Sequence, residues 1–330
     1  MSQAADVRPE PTFQRKAAIV TGGATDHAGR VSVAPIPDFD LDRTIFQTLE
    51  GAAARYVMKK RVGKEVVWET KAASEVQSAY DEAQGAVTLP DIAPELLEFM
   101  VNECNFDVEH ADGSFLDHLY FCFEYGVHHY PQHSPLVLLL HSILGTGTNT
   151  FAMTADKIPQ LKALLTDFEW RQTEAFPSVL RLLYAGTLRS ELRENLHRLD
   201  QLSGISFHRV IDYESIDLSA EVFWIALNYQ LIHLVDVLPV TNWSSHQNDT
   251  SFIIFRDLVD LMHRGGKVEA SIHYQPEDSS SSPVGERFGL GGWLTTRIPV
   301  TLAERLAAKS VTRFSERIGH SLEYTLHWQG

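Results

Sequence analysis

The sequence predicts a mainly α-helical protein with a small α+β lobe at its C-terminal end. From residue 91 to 264, apolar side chains recur every three to four positions in successive segments, which is the period of helices with one buried face. Beyond residue 265, two short segments alternate apolar and polar side chains, as strands do. We therefore divide the chain into an N-terminal arm at 1–90, a helical domain at 91–264 and a C-terminal lobe at 265–330.

Composition and charge limit the classes of function. A chain of 330 residues, 44% apolar and 22% charged, has the composition of a globular protein with a sizeable core. The net charge of −15 argues against nucleic acid and anionic membrane surfaces as partners, because both need clustered lysine and arginine. Two cysteines are too few for a disulfide framework or a zinc ribbon. With neither a membrane-spanning run nor a secretory core in the sequence, we expect a cytoplasmic protein that acts on a small molecule. The charge leaves room for an anionic substrate in a local basic pocket.

The N-terminal arm is expected to be partly irregular, with peripheral helices at 44–60 and 75–84. Within it, KAAIVTGGA at 16–24 resembles the first strand and glycine turn of a short-chain dehydrogenase. The three spaced glycines of a dinucleotide fingerprint do not follow, and the next segment has no helical pattern to receive a pyrophosphate. We therefore expect no dinucleotide to bind to this arm.

Two helices joined by a tight turn, at 113–151, form the centre of the predicted helical domain. Ser114 is a suitable N-cap for the first helix. Pro135 suits the first position of the second helix, where a missing N–H costs nothing. The run Leu136–Leu140 is apolar on every side, so we expect the second helix to be buried and to end near Gly145.

These two helices carry a pair of histidines. His118 lies in the first turn of one helix, and His141 follows the buried leucine run of the other. A buried histidine must satisfy two ring nitrogens, and a metal ion plus one hydrogen bond is one way to do so. A hydrogen bond to a neighbouring backbone carbonyl within an ordinary core is the other interpretation, and it stays open for each residue taken singly.

Further helices are predicted along the rest of the domain, and strands are predicted only beyond residue 265 and in the N-terminal arm. In chain order the helical segments are 155–167, one that begins at Pro177 and ends at Gly186, 187–202, 220–238 and 249–263, with 203–216 as a connection. In the tail, 301–318 is a patterned helix, and 267–275 and 323–330 are strands. Asp236 stands between two valines of segment 220–238, where a bare carboxylate would be costly to bury. It therefore either has a partner, such as a metal ion or a histidine, or faces solvent.

Residues 92–240 resemble the HD-domain superfamily, which is all-helical and binds metal. Its members place a lone histidine early in one helix, a His-Asp pair late in the next buried helix, and a further aspartate on a later helix. LDHLYFC supplies His118, VLLLHSILG supplies His141 23 residues later, and LIHLVDVL supplies Asp236. Ser142 stands where the family carries a metal-bridging aspartate, so the resemblance is to a divergent branch with His-Ser in place of His-Asp.

The resemblance implies an HD-domain-like helical bundle with one metal site. A bridging carboxylate screens the repulsion between two cations, and the hydroxyl of Ser142 cannot. Two imidazoles and a carboxylate, from His118, His141 and Asp236, suit one divalent Fe, Mn or Zn ion. Such an ion can lower the pKa of a bound water and supply hydroxide for hydrolysis.

Two further residues are candidates for catalysis. His208 and Arg209, in the connection SFHRVID, would lie over the helix ends, where Arg209 could grip a phosphate or carboxylate. Three functions follow. One is a metal-dependent hydrolase of a phosphorylated small molecule. Another is a non-haem iron oxygenase of the HD type. The third is a non-catalytic helical scaffold or sensor.

Overall fold

A computed structural model describes residues 52–53, 56, 66–67, 88–104, 115–146, 152–234, 250–271, 287–288 and 298–329. Helices make up 64% of this part of the chain, and a three-stranded antiparallel sheet accompanies them. The prediction of a mainly α protein is therefore confirmed. The described helices include none that is both long and apolar enough to cross a membrane.

Nine α-helices, two 3-10 helices and five strands are described. The α-helices are α1 Pro94–Glu103, α2 Phe115–His129, α3 Leu136–Leu140, α4 Ile158–Ala163, α5 Asp167–Ala185, α6 Thr187–Glu194, α7 Ala220–Leu234, α8 Thr250–Arg264 and α9 Val300–Ile318. The 3-10 helices are Ala155–Lys157 and Leu196–Gln201. The strands are β1 Val66–Val67, β2 Leu202–His208, β3 Ser215–Ser219, β4 Arg287–Phe288 and β5 Tyr324–Trp328.

Helix α5 begins and ends at local signals but contains a proline. The hydroxyl of Thr166 accepts from the backbone N–H of Glu169, whose carboxylate accepts from the backbone N–H of Thr166, so the two form a capping box. Gly186 ends the helix in the left-handed conformation, with φ of 87°, which glycine adopts without strain. The prediction that a helix begins at Pro177 was wrong, because this residue lies inside α5. Burial along most of α5 outweighs the one hydrogen bond that Pro177 removes.

Strands β2 and β3 form a hairpin within the region predicted to be helical. They pair antiparallel from Gly204–Ser219 to His208–Ser215. The interpretation of 203–216 as a connection was therefore wrong, as was the expectation that strands are confined to the tail and the N-terminal arm. Strand β3 alternates exposed and buried residues, and this short period-two pattern is the signal that was missed.

The C-terminal segment completes this sheet. The predicted strand at 323–330 is confirmed as β5, which pairs antiparallel with the other edge of β2, giving the order β3-β2-β5. The predicted helices at 301–318 and 249–263 are confirmed as α9 and α8, and α9 packs against α5 and α8. A strand of the predicted C-terminal lobe thus shares a sheet with strands of the predicted helical domain.

Helix α3 lies between two apolar clusters. Val137 and Leu138 belong to a large cluster built mainly from α5, α7, α8 and the sheet. Leu139 and Leu140 belong to a second cluster, with α1, α2 and the segment 152–170. The prediction that α3 is buried is therefore confirmed, although the helix ends at Leu140 and a buried turn continues to Gly145.

Most of the N-terminal arm lies outside the described residues. Residues 52–53 and 56, within the predicted helix at 44–60, are helical, and β1 pairs antiparallel with β4. The dehydrogenase-like segment at 16–24 and the predicted helix at 75–84 are not among the described positions.

Candidate functional site

His141 is held in one orientation by the turn that follows α3. The residue is 1% exposed, and its Nδ1 lies 2.6 Å from the backbone oxygen of Leu138. Because a carbonyl oxygen can only accept, Nδ1 carries the proton and Nε2 is the acceptor atom of the ring. Metal-ligating histidines use this arrangement, in which the non-ligating nitrogen donates to a carbonyl. A histidine of an ordinary core can make the same hydrogen bond. The residues around His141 therefore decide between a metal ligand and a core residue.

One such group is a second imidazole, from His233 in the last turn of α7. Its ring centroid lies 4.6 Å from that of His141, with 59° between the ring planes. Two imidazoles bound to one ion at ~2.0–2.1 Å per metal–nitrogen bond have ring centroids roughly 5 Å apart. The separation is compatible with a shared cation, and it is also within the range of ordinary packing between two rings.

Phe176 of α5 closes one side of this pair. Its ring centroid lies 5.0 Å from that of His141 and 5.5 Å from that of His233. The two histidines thus meet at the junction of α3, α5 and α7, against an apolar ring. Such surroundings strengthen interactions between a cation and its ligands, because little water competes.

Sequence alone did not single out His233 as a ligand. The sequence feature that could have indicated His233 is its spacing from Asp236, because residues three apart on a helix lie on the same side. Asp236 itself, two positions after the end of the described part of α7, lies outside the described residues. Its prediction as a metal ligand stays a prediction.

His118 lies in the first turn of α2, as predicted, and its side chain is outside the described part of the chain. Helix α2 packs against both α3 and α7, which carry His141 and His233. The described residues contain no group of three or more His, Cys, Asp or Glu side chains placed to hold a metal ion. A complete site would therefore need ligands such as His118 or Asp236 in addition to the two imidazoles. Nitrogen donors of this kind fit Fe, Mn or Zn, and Ser142, buried beside His141, offers no bridging carboxylate.

Arg209, which is predicted to grip an anionic substrate, binds two carboxylates of the chain. Its Nε and Nη2 donate to the two oxygens of Asp212 at 2.7 and 2.6 Å, and its Nη1 donates to Glu174. The side chain of Arg209 is only 11% exposed, and its guanidinium lies over the ring of Trp170. Burial alone would lower the pKa of Arg209, but the bonds to Asp212 and Glu174 outweigh it and raise that pKa. Three of its N–H groups are therefore directed at internal partners.

His208, the other predicted catalytic residue, lies at the end of β2 beside a buried histidine near the end of α9. His320 donates from Nε2 to the backbone oxygen of His208 at 2.9 Å. The ring Nδ1 atoms of both residues are buried, with no hydrogen-bond partner among the described residues. Burial, opposed by that backbone bond and reinforced by the charge of Arg181, lowers the pKa of His320 to about 4. A neutral His320 thus fastens the end of β2 to the segment between α9 and β5.

Comparison of the chain with protein-family models, with curated proteins and with solved structures finds no match. The resemblance of residues 92–240 to the HD-domain superfamily therefore remains a prediction, as does any function derived from it.

Proposed function

We propose that this chain is a metal-dependent hydrolase built on an HD-domain-like helical bundle, with one divalent ion bound between His141 and His233. The observation that carries the proposal is the geometry of the two rings. His141 donates from Nδ1 to Leu138, which leaves Nε2 as the acceptor atom of its ring, and the ring centroid of His233 lies 4.6 Å from that of His141. Asp236 and His118 are the additional ligands in this proposal.

The chain's own residues would fix and shield the ion. The bond to Leu138 holds the His141 ring, so that little side-chain entropy is lost on binding. Phe176 keeps water from one side of the pair. The ion, when bound, would supply Lewis acidity and make a water molecule nucleophilic near neutral pH.

A phosphorylated small molecule is the proposed substrate class, and Arg181 supports it. The side chain is fully buried, and its Nε donates at 3.1 Å to the backbone oxygen of Thr146, five residues after His141. Burial lowers the pKa of Arg181 to about 9, so the guanidinium remains charged at pH 7. Its Nη1 also donates to Ser315 at 3.2 Å, so in a chain of net charge −15 this fixed cation would favour an anionic group through its positive potential and not through direct contact.

Metal content tests the proposal. Wild type, His141→Gln, His233→Gln and His320→Gln are purified, stripped with chelator and titrated with Zn(II), Mn(II) and Fe(II), with circular dichroism as a check on folding. His320 is the matched control, because it is also buried and also donates to a backbone carbonyl. We expect one ion per chain in wild type and His320→Gln, and loss of that ion in the other two variants. Stoichiometric metal in none of the proteins, or equal metal in all four, would contradict the proposal.

Activity of the loaded protein then separates the chemistries. Release of phosphate from a simple phosphoester, dependent on the ion, supports the hydrolase. Oxygen consumption that requires Fe(II) supports instead the non-haem iron oxygenase of the HD type.

A non-catalytic scaffold or sensor is the second candidate, and the Arg209 cluster favours it. The guanidinium of Arg209 donates three hydrogen bonds to Asp212 and Glu174. These bonds stabilise the fold, which is a structural role for a residue predicted to be catalytic. The bond from His141 to Leu138 is also compatible with a purely structural histidine. A wild-type protein that binds no metal would make this function the better one.

A further inference from the structure

Three polar side chains from three different strands meet on the sheet. Ser206 lies on the central strand β2, Asp217 on β3 and His327 on β5. The hydroxyl oxygen of Ser206 lies 2.5 Å from Oδ1 of Asp217 and 2.6 Å from Nε2 of His327. A hydroxyl group thus stands between a carboxylate and an imidazole, which are side-chain types that commonly exchange protons in active sites.

The fold holds these groups on the side of the sheet that faces away from the core. Their neighbours in sequence are buried in the large apolar cluster, among them Ile205, Leu218 and Leu326. Because successive side chains of a strand point to opposite faces, the three polar side chains share the other face. Asp217 and His327 are exposed, and Ser206 is partly exposed. A molecule from solvent can therefore reach the hydroxyl.

Hydrogen bonding fixes the direction of the protons in this cluster. A hydroxyl has one proton and an ionised carboxylate can only accept, so Ser206 donates to Asp217. The Nε2 atom of His327 then carries a proton and donates to the oxygen of Ser206. The serine proton is therefore directed at a base, and a second proton is held on the other side of the same oxygen.

This order of contacts differs from that of the Ser-His-Asp triad. In the triad, the imidazole removes the serine proton and the carboxylate orients the imidazole. Here the carboxylate of Asp217 bonds the hydroxyl directly and takes the place of the base, while His327 is placed to protonate a leaving group. Positioned acids and bases accelerate such proton transfers by about 10²–10⁴-fold.

We propose that Ser206 is the nucleophile of an acyl-transfer site for activated esters, with Asp217 as its base and His327 as its acid. In this step, Oγ of Ser206 bonds to the carbonyl carbon of the ester, and the hydroxyl proton passes to Asp217. The bond from that carbon to the leaving oxygen breaks, and the Nε2 proton of His327 passes to the leaving oxygen. The products are an acyl ester of Ser206 and a free alcohol or phenol. The step needs no metal ion, so it does not depend on the proposed function.

Thr325 can stabilise the intermediate of this step. It pairs directly with Ser206 across the two strands and is exposed on the same face as His327. Directly opposed residues have Cβ atoms about 4.5–5.5 Å apart. The hydroxyl of Thr325 can therefore donate to the oxyanion that forms beside Ser206 when the ester is attacked.

Reaction with two phenyl esters tests the proposal. Full-length wild type, Ser206→Ala, Asp217→Asn and His327→Gln are mixed with p-nitrophenyl acetate or phenyl acetate in the presence of a chelator. Peptide mass spectrometry identifies the acetylated residue and gives its rate of acetylation. Asparagine keeps an acceptor oxygen for Ser206, and glutamine keeps an N–H donor. These two variants can therefore retain the hydrogen bonds while losing the acid–base chemistry.

The two esters separate the base from the acid. We expect acetylation of Ser206 in wild type with both esters, and none at position 206 in Ser206→Ala. Asp217→Asn should slow both reactions by at least about 100-fold. His327→Gln should slow the reaction of phenyl acetate by about 100-fold and that of p-nitrophenyl acetate by less than about 10-fold. The reason is that phenolate leaves poorly without a proton, whereas p-nitrophenolate leaves readily.

Ser203→Ala is the matched control. Ser203 is an exposed serine of the same strand, and its hydroxyl donates at 2.9 Å to the backbone oxygen of His327. A carbonyl oxygen is a far weaker base than a carboxylate, so Ser203 should not be acetylated and this variant should react like wild type. Circular dichroism and thermal melting of each variant show that it folds.

Three results would overturn the proposal. Wild type without acetyl on Ser206, or with equal acetylation of Ser203, would make Ser206 an ordinary surface hydroxyl. Acetylation of Asp217→Asn at the wild-type rate would mean that the carboxylate is not the base. An equal loss of reaction with both esters in His327→Gln would mean that the imidazole does not act as the proton donor.

Discussion

Removing Arg209 should reveal a structural role that is large and dependent on pH. The side chain of Arg209 is 11% exposed, and those of its partners Glu174 and Asp212 are 10% and 22% exposed. Truncating one member of such a buried ionic group leaves an uncompensated charge and typically costs about 3–5 kcal/mol. We therefore expect Arg209→Met to lower the free energy of unfolding by about that amount at pH 7, measured by urea denaturation.

The pH dependence of that loss identifies its origin. Burial already raises the pKa of Glu174, and Arg209 opposes the rise, so the variant should raise it further. A carboxyl with a raised pKa in the folded state favours folding below its unfolded pKa and loses that contribution as the pH rises through the folded value. The difference in unfolding free energy between wild type and Arg209→Met should therefore decrease toward pH 4 and increase above it. Adding Glu174→Gln to the variant should recover much of the loss at pH 7, because the buried charge is then gone. A variant as stable as wild type at pH 7 would refute this reasoning and restore Arg209 as a candidate substrate ligand.

Two further perturbations test the histidines and the turn after α3. His320, which faces Arg181 and His208, has a pKa lowered to about 4, so its stabilising contribution is lost as the pH falls from about 6.5 through that value. His320→Gln should flatten the wild-type dependence of unfolding free energy on pH in this window by up to about 1.4 kcal/mol per pH unit, and an unchanged slope would contradict the buried neutral ring. If the proposed single-ion site forms, Ser142→Asp should raise its metal stoichiometry from one toward two, and the variant should melt below wild type when stripped, because a bare carboxylate is then buried. Metal content and melting temperature with and without Mn(II) check this, and unaltered stoichiometry would count against a bridging position at 142.

Local signals were sufficient for much of the fold and insufficient for the sheet. The ends of helix α9 and the strand β5 could be predicted, because apolar periodicity and helix-terminating residues are features of a few neighbouring positions. Strand β2 could not, since Gly204 and Ile205 are both buried and break its alternation. Its partner on one side is also more than a hundred residues away, with Ile205 opposite Leu326. Pairing over that distance depends on the whole fold, which no window of sequence contains.

The same limit applies to the site residues. Arg209 has the residue type that grips phosphate, but its carboxylate partner Glu174 is 35 residues earlier in the chain and is brought to it by α5. His141 was recognisable as the end of a buried helix, whereas the partner ring of His233 became evident only through the crossing of α3 and α7. Residue type thus indicates what a side chain can bind, and packing determines what it does bind.

Two buried histidines of this chain illustrate that distinction. His141 and His320 each donate from one ring nitrogen to a backbone carbonyl, so sequence and burial alone give them equal standing as ligands. The neighbours differ, because the ring of His233 lies 4.6 Å from that of His141, while burial and the charges of Arg181 and His208 lower the pKa of His320. A second imidazole adds a donor for a cation, and a guanidinium repels one. Of these two histidines, His141 is therefore the proposed metal ligand and His320 is the control.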